Sequence, residues 1–107
     1  MSKYIYVLRE FDYENNLRQE YAIEGLDNAK AFTKQKLFED ETWVVTHCSK
    51  GFSQEYVDSE IARVRKKFDE MVIKLKRETW TWTYSDGGSY ATYWELKRLE
   101  IQQPLTH

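Results

Sequence analysis

Thr79-Trp80-Thr81-Trp82-Thr83-Tyr84, then Ser85-Asp86-Gly87-Gly88-Ser89, then Tyr90-Ala91-Thr92-Tyr93-Trp94 is the stretch that decides the fold. Aromatic rings alternate with Thr on a period of two, and a Gly-rich break separates two such runs, which is how an antiparallel β-hairpin is written. With Asp86-Gly87-Gly88 as a three-residue loop and Gly88 supplying the positive φ, Tyr84 pairs with Tyr90, Trp82 with Thr92 and Trp80 with Trp94. All the large rings except Tyr93 then share one face. Leu96 keeps the alternation, whereas Leu99 and Ile101 fall out of phase, so a β-bulge near Lys97-Arg98 or the end of the strand is expected.

Upstream, residues 4–13 and 17–24 read as a first hairpin around Glu14-Asn15-Asn16, with Asn16 in the left-handed conformation that Asn tolerates. This register sets Val7 opposite Ile23, Arg9 opposite Tyr21 and Tyr13 opposite Leu17, with Leu8–Ala22 and the ion pair Asp12–Arg18 on the other face. A two-residue Asn-Asn turn places Phe11 opposite Glu20 and Val7 opposite Glu24, a poorer match on both faces.

Between the hairpins, Gly25-Leu26-Asp27 breaks the strand, and Asp27 is suited to cap a short helix through Phe38 with Ala29, Phe32, Thr33 and Leu37 on its inner side. Glu39-Asp40-Glu41 is acid where the helix dipole favours base, so these residues are expected in a loop. The β-branched run Trp43-Val44-Val45-Thr46-His47-Cys48 predicts a short third strand. Ser49-Lys50-Gly51-Phe52 is a turn, and Ser53 caps the longest element. There Val57, Ile61, Val64, Phe68, Met71 and Leu75 recur at spacings of four and three, predicting an amphipathic helix to Arg77, about 36 Å long at 1.5 Å per residue. The fold class expected is therefore α+β: an antiparallel sheet of two hairpins plus a short strand, the long helix across one face and the short helix at an edge.

A chain of 107 residues is enough for a single domain, 1–107, with residues 103–107 as a frayed tail. Charged residues make up 32% and are mixed in sign, which favours a solvated surface, while 16% aromatics point to a core built from rings. A net charge of -2 disfavours nonspecific attraction to phosphate or anionic membrane. Cys48 is the only cysteine, so an intrachain disulfide cannot form, and the N-terminal apolar run is too short for a signal-peptide core. A cytoplasmic protein without a membrane span is expected.

No motif specifies a reaction. His47 and Cys48, as neighbours on a strand, point to opposite faces and cannot share one ion, so neither a metal site nor a cofactor is expected. The carboxylates at Glu39, Asp40, Glu41 and at Asp69, Glu70 lie in polar runs and lack the differing burial that acid and base catalysis needs. Asp86-Gly87-Gly88 lacks the Lys and Ser/Thr of a phosphate loop. A non-enzymatic protein is expected.

Two surfaces remain as candidates. Some rings are expected to build the core while Tyr4, Tyr6, Tyr84, Tyr90 or Tyr93 stay outside as aromatic anchors for a partner protein, a role in which Tyr and Trp are enriched. Arg63, Lys66 and Lys67, with Arg65 beside them, are the basis of the alternative, nucleic-acid binding through a basic helix face. The expected helix carries seven basic and five acidic residues, +2 against -4 for the rest of the chain, which is dipolar more than basic. Its four-three stripe also suits a partner helix, so a homodimer is an expectation.

Four traits taken together resemble small accessory proteins encoded by phages and prophages, including some anti-CRISPR inhibitors. They are the strand Tyr4-Ile5-Tyr6-Val7-Leu8, the second strand closing at Gly25-Leu26-Asp27, the helix around Ala29-Lys30-Ala31, and the late Trp-rich hairpin ending Tyr93-Trp94-Glu95-Leu96. The resemblance implies a protein that binds a host or phage factor and blocks or modifies it. It assigns no individual residue a role.

Overall fold

The computed structural model describes residues 4–84 and 92–100. The chain is α+β. Its order is β1 (Tyr4–Phe11), β2 (Leu17–Glu24), α1 (Leu26–Cys48), α2 (Gln54–Glu70), β3 (Thr79–Tyr84) and β4 (Thr92–Glu100). The strands form one antiparallel sheet in the order β2-β1-β4-β3. Two compact units result: residues 1–29 with 74–107, which contain the sheet, and residues 30–73, a helical hairpin.

In the sheet unit, Leu8 lies opposite Leu96, Tyr6 opposite Arg98 and Trp82 opposite Trp94, which puts these residues on one face together with Trp80. Tyr6, Leu8, Trp94 and Leu96 are buried there, each large apolar side chain contributing about 1.5–3 kcal/mol. Trp80 and Trp82 stack along β3 with centroids 6.4 Å apart. The other face is mixed: Val7 is buried on it, and Arg9 binds Glu20 of β2 at 2.7 Å and Glu95 of β4 at 3.4 Å.

Trp80, Trp82 and Trp94 share a face as expected, but the register of the second hairpin differs by two residues. Tyr84 lies opposite Thr92, Trp82 opposite Trp94 and Trp80 opposite Leu96. A shift of two leaves every side chain on its own face, so the aromatic alternation cannot distinguish the two pairings. β4 then runs on to Glu100 against β1 in unbroken register, with Leu99 opposite Ile5 in place of the bulge expected near Lys97-Arg98. The Asp86-Gly87-Gly88 loop, Tyr90 and the tail 103–107 lie outside the described residues.

The first hairpin is off by one residue from the expected register, with Leu8 opposite Tyr21 and Arg9 opposite Glu20. The cause is turn chemistry. Asp12 leaves the strand, and its Oδ1 accepts the backbone N–H groups of Glu14 and Asn16, each at 2.9 Å. Asn15, not Asn16, takes the positive φ, at 66°. The pairing recovers through a bulge at Arg18, since Glu10 faces Gln19 while Phe11 faces Leu17. Arg18 thereby meets Glu10 at 3.7 Å instead of Asp12.

The two helices depart further from expectation. α1 does not stop at Phe38; it continues through Glu39-Asp40-Glu41 and turns the expected strand Trp43–Cys48 into helix, 23 residues in all. Its buried positions Ala29, Thr33, Leu37, Glu41 and Val44 fall on helical spacing, and that stripe overrides the β preference of the Val-Val-Thr run. The acids sit mid-helix, where the dipole argument lapses and Lys36 and Lys67 pair with Glu39 and Glu41. Gly25, with φ 88°, stands before the first turn and its carbonyl accepts Ala29 N–H at 2.9 Å, so Asp27 lies inside the helix and not at its cap.

α2 starts as expected, with Ser53 Oγ accepting Tyr56 N–H at 3.2 Å. It ends at Glu70, seven residues early, where Met71 turns extended at ψ 134°. From there Met71, Ile73 and Leu75 alternate with exposed Val72 and Lys74, and Ile73 is buried. Met71 and Leu75 fit either period; Ile73 fits only the extended one.

Candidate functional site

The helical hairpin carries the clearest exposed aromatic surface among the described residues. α1 closes on Ser49, whose N–H bonds Val45 C=O at 3.0 Å, and the chain reverses through Gly51 at φ 91°. On the α1 side of this turn, Trp43 and His47 are one helical turn apart and stack at 3.9 Å. On the α2 side, Phe52 and Tyr56 stack at 4.9 Å. Trp43, Phe52 and Tyr56 are 48%, 60% and 44% exposed, so these rings are spent on each other and on solvent, not on a core.

Below the turn the two helices are held by polar contacts. Lys67 Nζ reaches the buried Glu41 carboxylate at 3.0 Å, Lys34 Nζ donates to Asp69 C=O at 3.5 Å, and the Arg65 guanidinium lies 4.1 Å over the Phe38 ring. A groove of about 220 Å³ between the helices is lined by Ala31, Lys34, Phe38, Arg65, Phe68 and Asp69. Its cations are already turned onto Phe38 and a backbone carbonyl.

The basic residues singled out from the sequence all lie on α2, and the structure commits most of them internally. Arg63 forks onto Glu60 at 2.8 and 3.2 Å, and that hydrogen bond holds its guanidinium pKa above the ordinary arginine value. Lys67 is bound to Glu41, whereas Lys66 is exposed. Because α2 ends before Lys74, Lys76 and Arg77, it holds four basic and five acidic residues, a net charge of -1 where the longer helix promised +2.

The tyrosines separate. Tyr93 is half-buried on the sheet face that carries Arg9, 5.5 Å from the Phe11 ring. Tyr84 ends β3, its side chain outside the described set, and Tyr90 lies outside it altogether. Cys48 is exposed at the end of α1, and His47 beside it packs on Trp43. Among the described residues no three His, Cys, Asp or Glu side chains come together as metal ligands, and no helix is long and apolar enough to cross a membrane.

The surface rings Trp43, Phe52 and Tyr56 were not legible as a site. The i, i+4 spacing of Trp43 with His47 and of Phe52 with Tyr56 is the signal, but it has meaning only once residues 43–48 are helix. Compared with protein-family models, with curated proteins and with solved structures, the chain matches none of them.

Proposed function

We propose that this chain is a non-enzymatic protein-binding module of the phage-accessory kind, acting in the cytoplasm by docking on a host or phage factor and blocking or modifying it. The observation that carries the reading is the pair of exposed aromatic stacks flanking the turn between α1 and α2. Large aromatics are the side chains that dominate binding energy when buried at an interface. Stacking holds these rings in place beforehand, which lowers the entropy lost on docking. The nucleic-acid alternative has less support: Arg63, Arg65 and Lys67 face Glu60, Phe38 and Glu41, and α2 carries net negative charge.

A photo-crosslinking side chain at Lys50, within the turn, tests this. The wild-type chain is expected to capture a discrete protein in host lysate, and the Trp43→Ala/Phe52→Ala/Tyr56→Ala variant to lose it while unfolding at the same temperature. Capture that disappears on nuclease treatment, or that survives the triple substitution, overturns the reading.

A further inference from the structure

Among the described residues the sheet ends in two edge strands, β2 and β3, and they are built differently. β2 carries Arg18, Glu20 and Glu24 and a bulge at Arg18, the usual means of discouraging another strand from adding to an edge. β3, Thr79–Tyr84, carries no charge, no Pro and no Gly, only β-branched and aromatic residues. Six such residues on an open edge are what proteins normally avoid, unless the edge has a partner.

The backbone shows how much of that edge is open. Arg98 N–H bonds Glu78 C=O at 2.7 Å, and in an antiparallel ladder such hydrogen-bonded pairs alternate. Trp80, Trp82 and Tyr84 therefore turn their peptide groups to β4, and Thr79, Thr81 and Thr83 turn theirs outward. Thr79 is already engaged, exchanging both bonds with Lys76 at 3.1 and 3.2 Å. The N–H and C=O of Thr81 and Thr83 meet no backbone partner among the described residues, and both side chains are exposed.

We infer that β3 pairs with β3 of a second copy of this chain, antiparallel about a two-fold axis at Trp82, joining two four-stranded sheets into one of eight. This register sets Thr81 opposite the partner's Thr83 and the reverse, so all four open groups of each strand are satisfied. Trp82 then meets its own copy, and Trp80 lies at the position opposite the partner's Tyr84. The Lys76–Thr79 bridge stops the pairing at Trp80 and excludes a two-fold at Thr81, which would need the groups Thr79 has already used. A two-fold interface must complement itself, and Thr on Thr with ring on ring, uncharged throughout, does so. The surface uses none of the rings at the helical turn, so this inference and the proposed function stand or fall separately.

Sedimentation equilibrium over a micromolar to millimolar series is expected to show a monomer–dimer equilibrium. Thr81→Pro removes an outward N–H and leaves the β4 ladder intact, so it should weaken the dimer at least tenfold with an unchanged circular dichroism spectrum. Thr81→Lys/Thr83→Lys sets Lys against Lys at both pairs, and Thr81→Glu/Thr83→Glu does the same with Glu. Each double variant alone should be monomeric, and an equimolar mixture should recover dimer. A wild-type chain that stays monomeric throughout, a dimer indifferent to these substitutions, or double variants that remain monomeric when mixed would overturn the inference.

Discussion

The sheet and the helical hairpin both bury apolar side chains, Leu8, Trp94 and Leu96 in one and Leu37, Val64 and Phe68 in the other, but they place their ion pairs differently. In the sheet, apolar side chains such as Leu8, Trp94 and Leu96 are buried, while the ion pairs of Arg9 with Glu20 and Glu95 lie on the more open face. In the helical hairpin a charge sits inside: Glu41 is buried beside Leu37 and Val44 on the α1 stripe, and Lys67 of α2 reaches in to meet it. Exposed pairs contribute about 0–1 kcal/mol, so the sheet should lose little if its charges go. A buried carboxylate left alone is far more costly. The same kind of contact is thus incidental in one unit and structural in the other.

The largest effect should come from the sheet's apolar face. Leu8→Ala removes a fully buried side chain at the centre of β1, and such truncations cost about 2–5 kcal/mol, close to the whole stability of many small domains. Urea unfolding should show a correspondingly lower midpoint. A loss below about 1 kcal/mol, within the range of surface substitutions, would break the contrast between the units.

Next comes the buried pair. Lys67→Met strips Glu41 of its cation and is expected to cost about 2 kcal/mol, less than for a fully enclosed pair because the Lys67 side chain is 38% exposed and water can follow it in. Adding Glu41→Leu should restore most of that loss, since an apolar side chain suits the site once the charge is gone. A double-mutant cycle read by chemical denaturation checks both. If the second substitution adds to the damage, Glu41 is held by more than Lys67.

How far each unit was legible follows from the same difference. The sheet face follows from alternation because Trp80, Trp82 and Trp94 obey a strict period, and a two-residue slip does not move them from it. The first hairpin sits one residue from the patterned register because Asp12 spends its carboxylate on the turn, a choice that strand patterning does not encode. α1 was harder still. Its buried stripe contains Thr33 and Glu41, so the helical period is broken by polar residues, and the partner of Glu41, Lys67, is 26 positions away. The exposed rings at the helical turn were obscured with it, since Trp43 reads as strand until Val44 is seen as the buried neighbour on a helix.

The smallest effect is expected at the tight turn of the first β-hairpin, where the comparison can be made turn against turn. Backbone N–H groups of Asn16 and then Glu14 hold the Asp12 carboxylate below its ordinary pKa, with the charge of Arg18 adding to this. The turn between α1 and α2, Ser49-Lys50-Gly51-Phe52-Ser53, contains no carboxylate. A folded pKa below the unfolded value, about 3.9, gives stability that is complete above that value and disappears as pH falls through the folded one. Acid should therefore release the 12–16 turn and leave the 49–53 turn alone. Because Asp12 is solvent-accessible, water and salt keep the change modest and local. The protection of the Glu14 and Asn16 amides, taken as exchange relative to the intrinsic rate at the same pH, should fall between pH 4 and pH 2 as an order-of-magnitude window around the aspartate range, with that of Phe52 unaffected. Asp12→Asn, which keeps an acceptor oxygen and loses the titration, should flatten that dependence. An Asp12 carboxyl that titrates at or above the ordinary value by NMR would show that the two turns respond to acid alike.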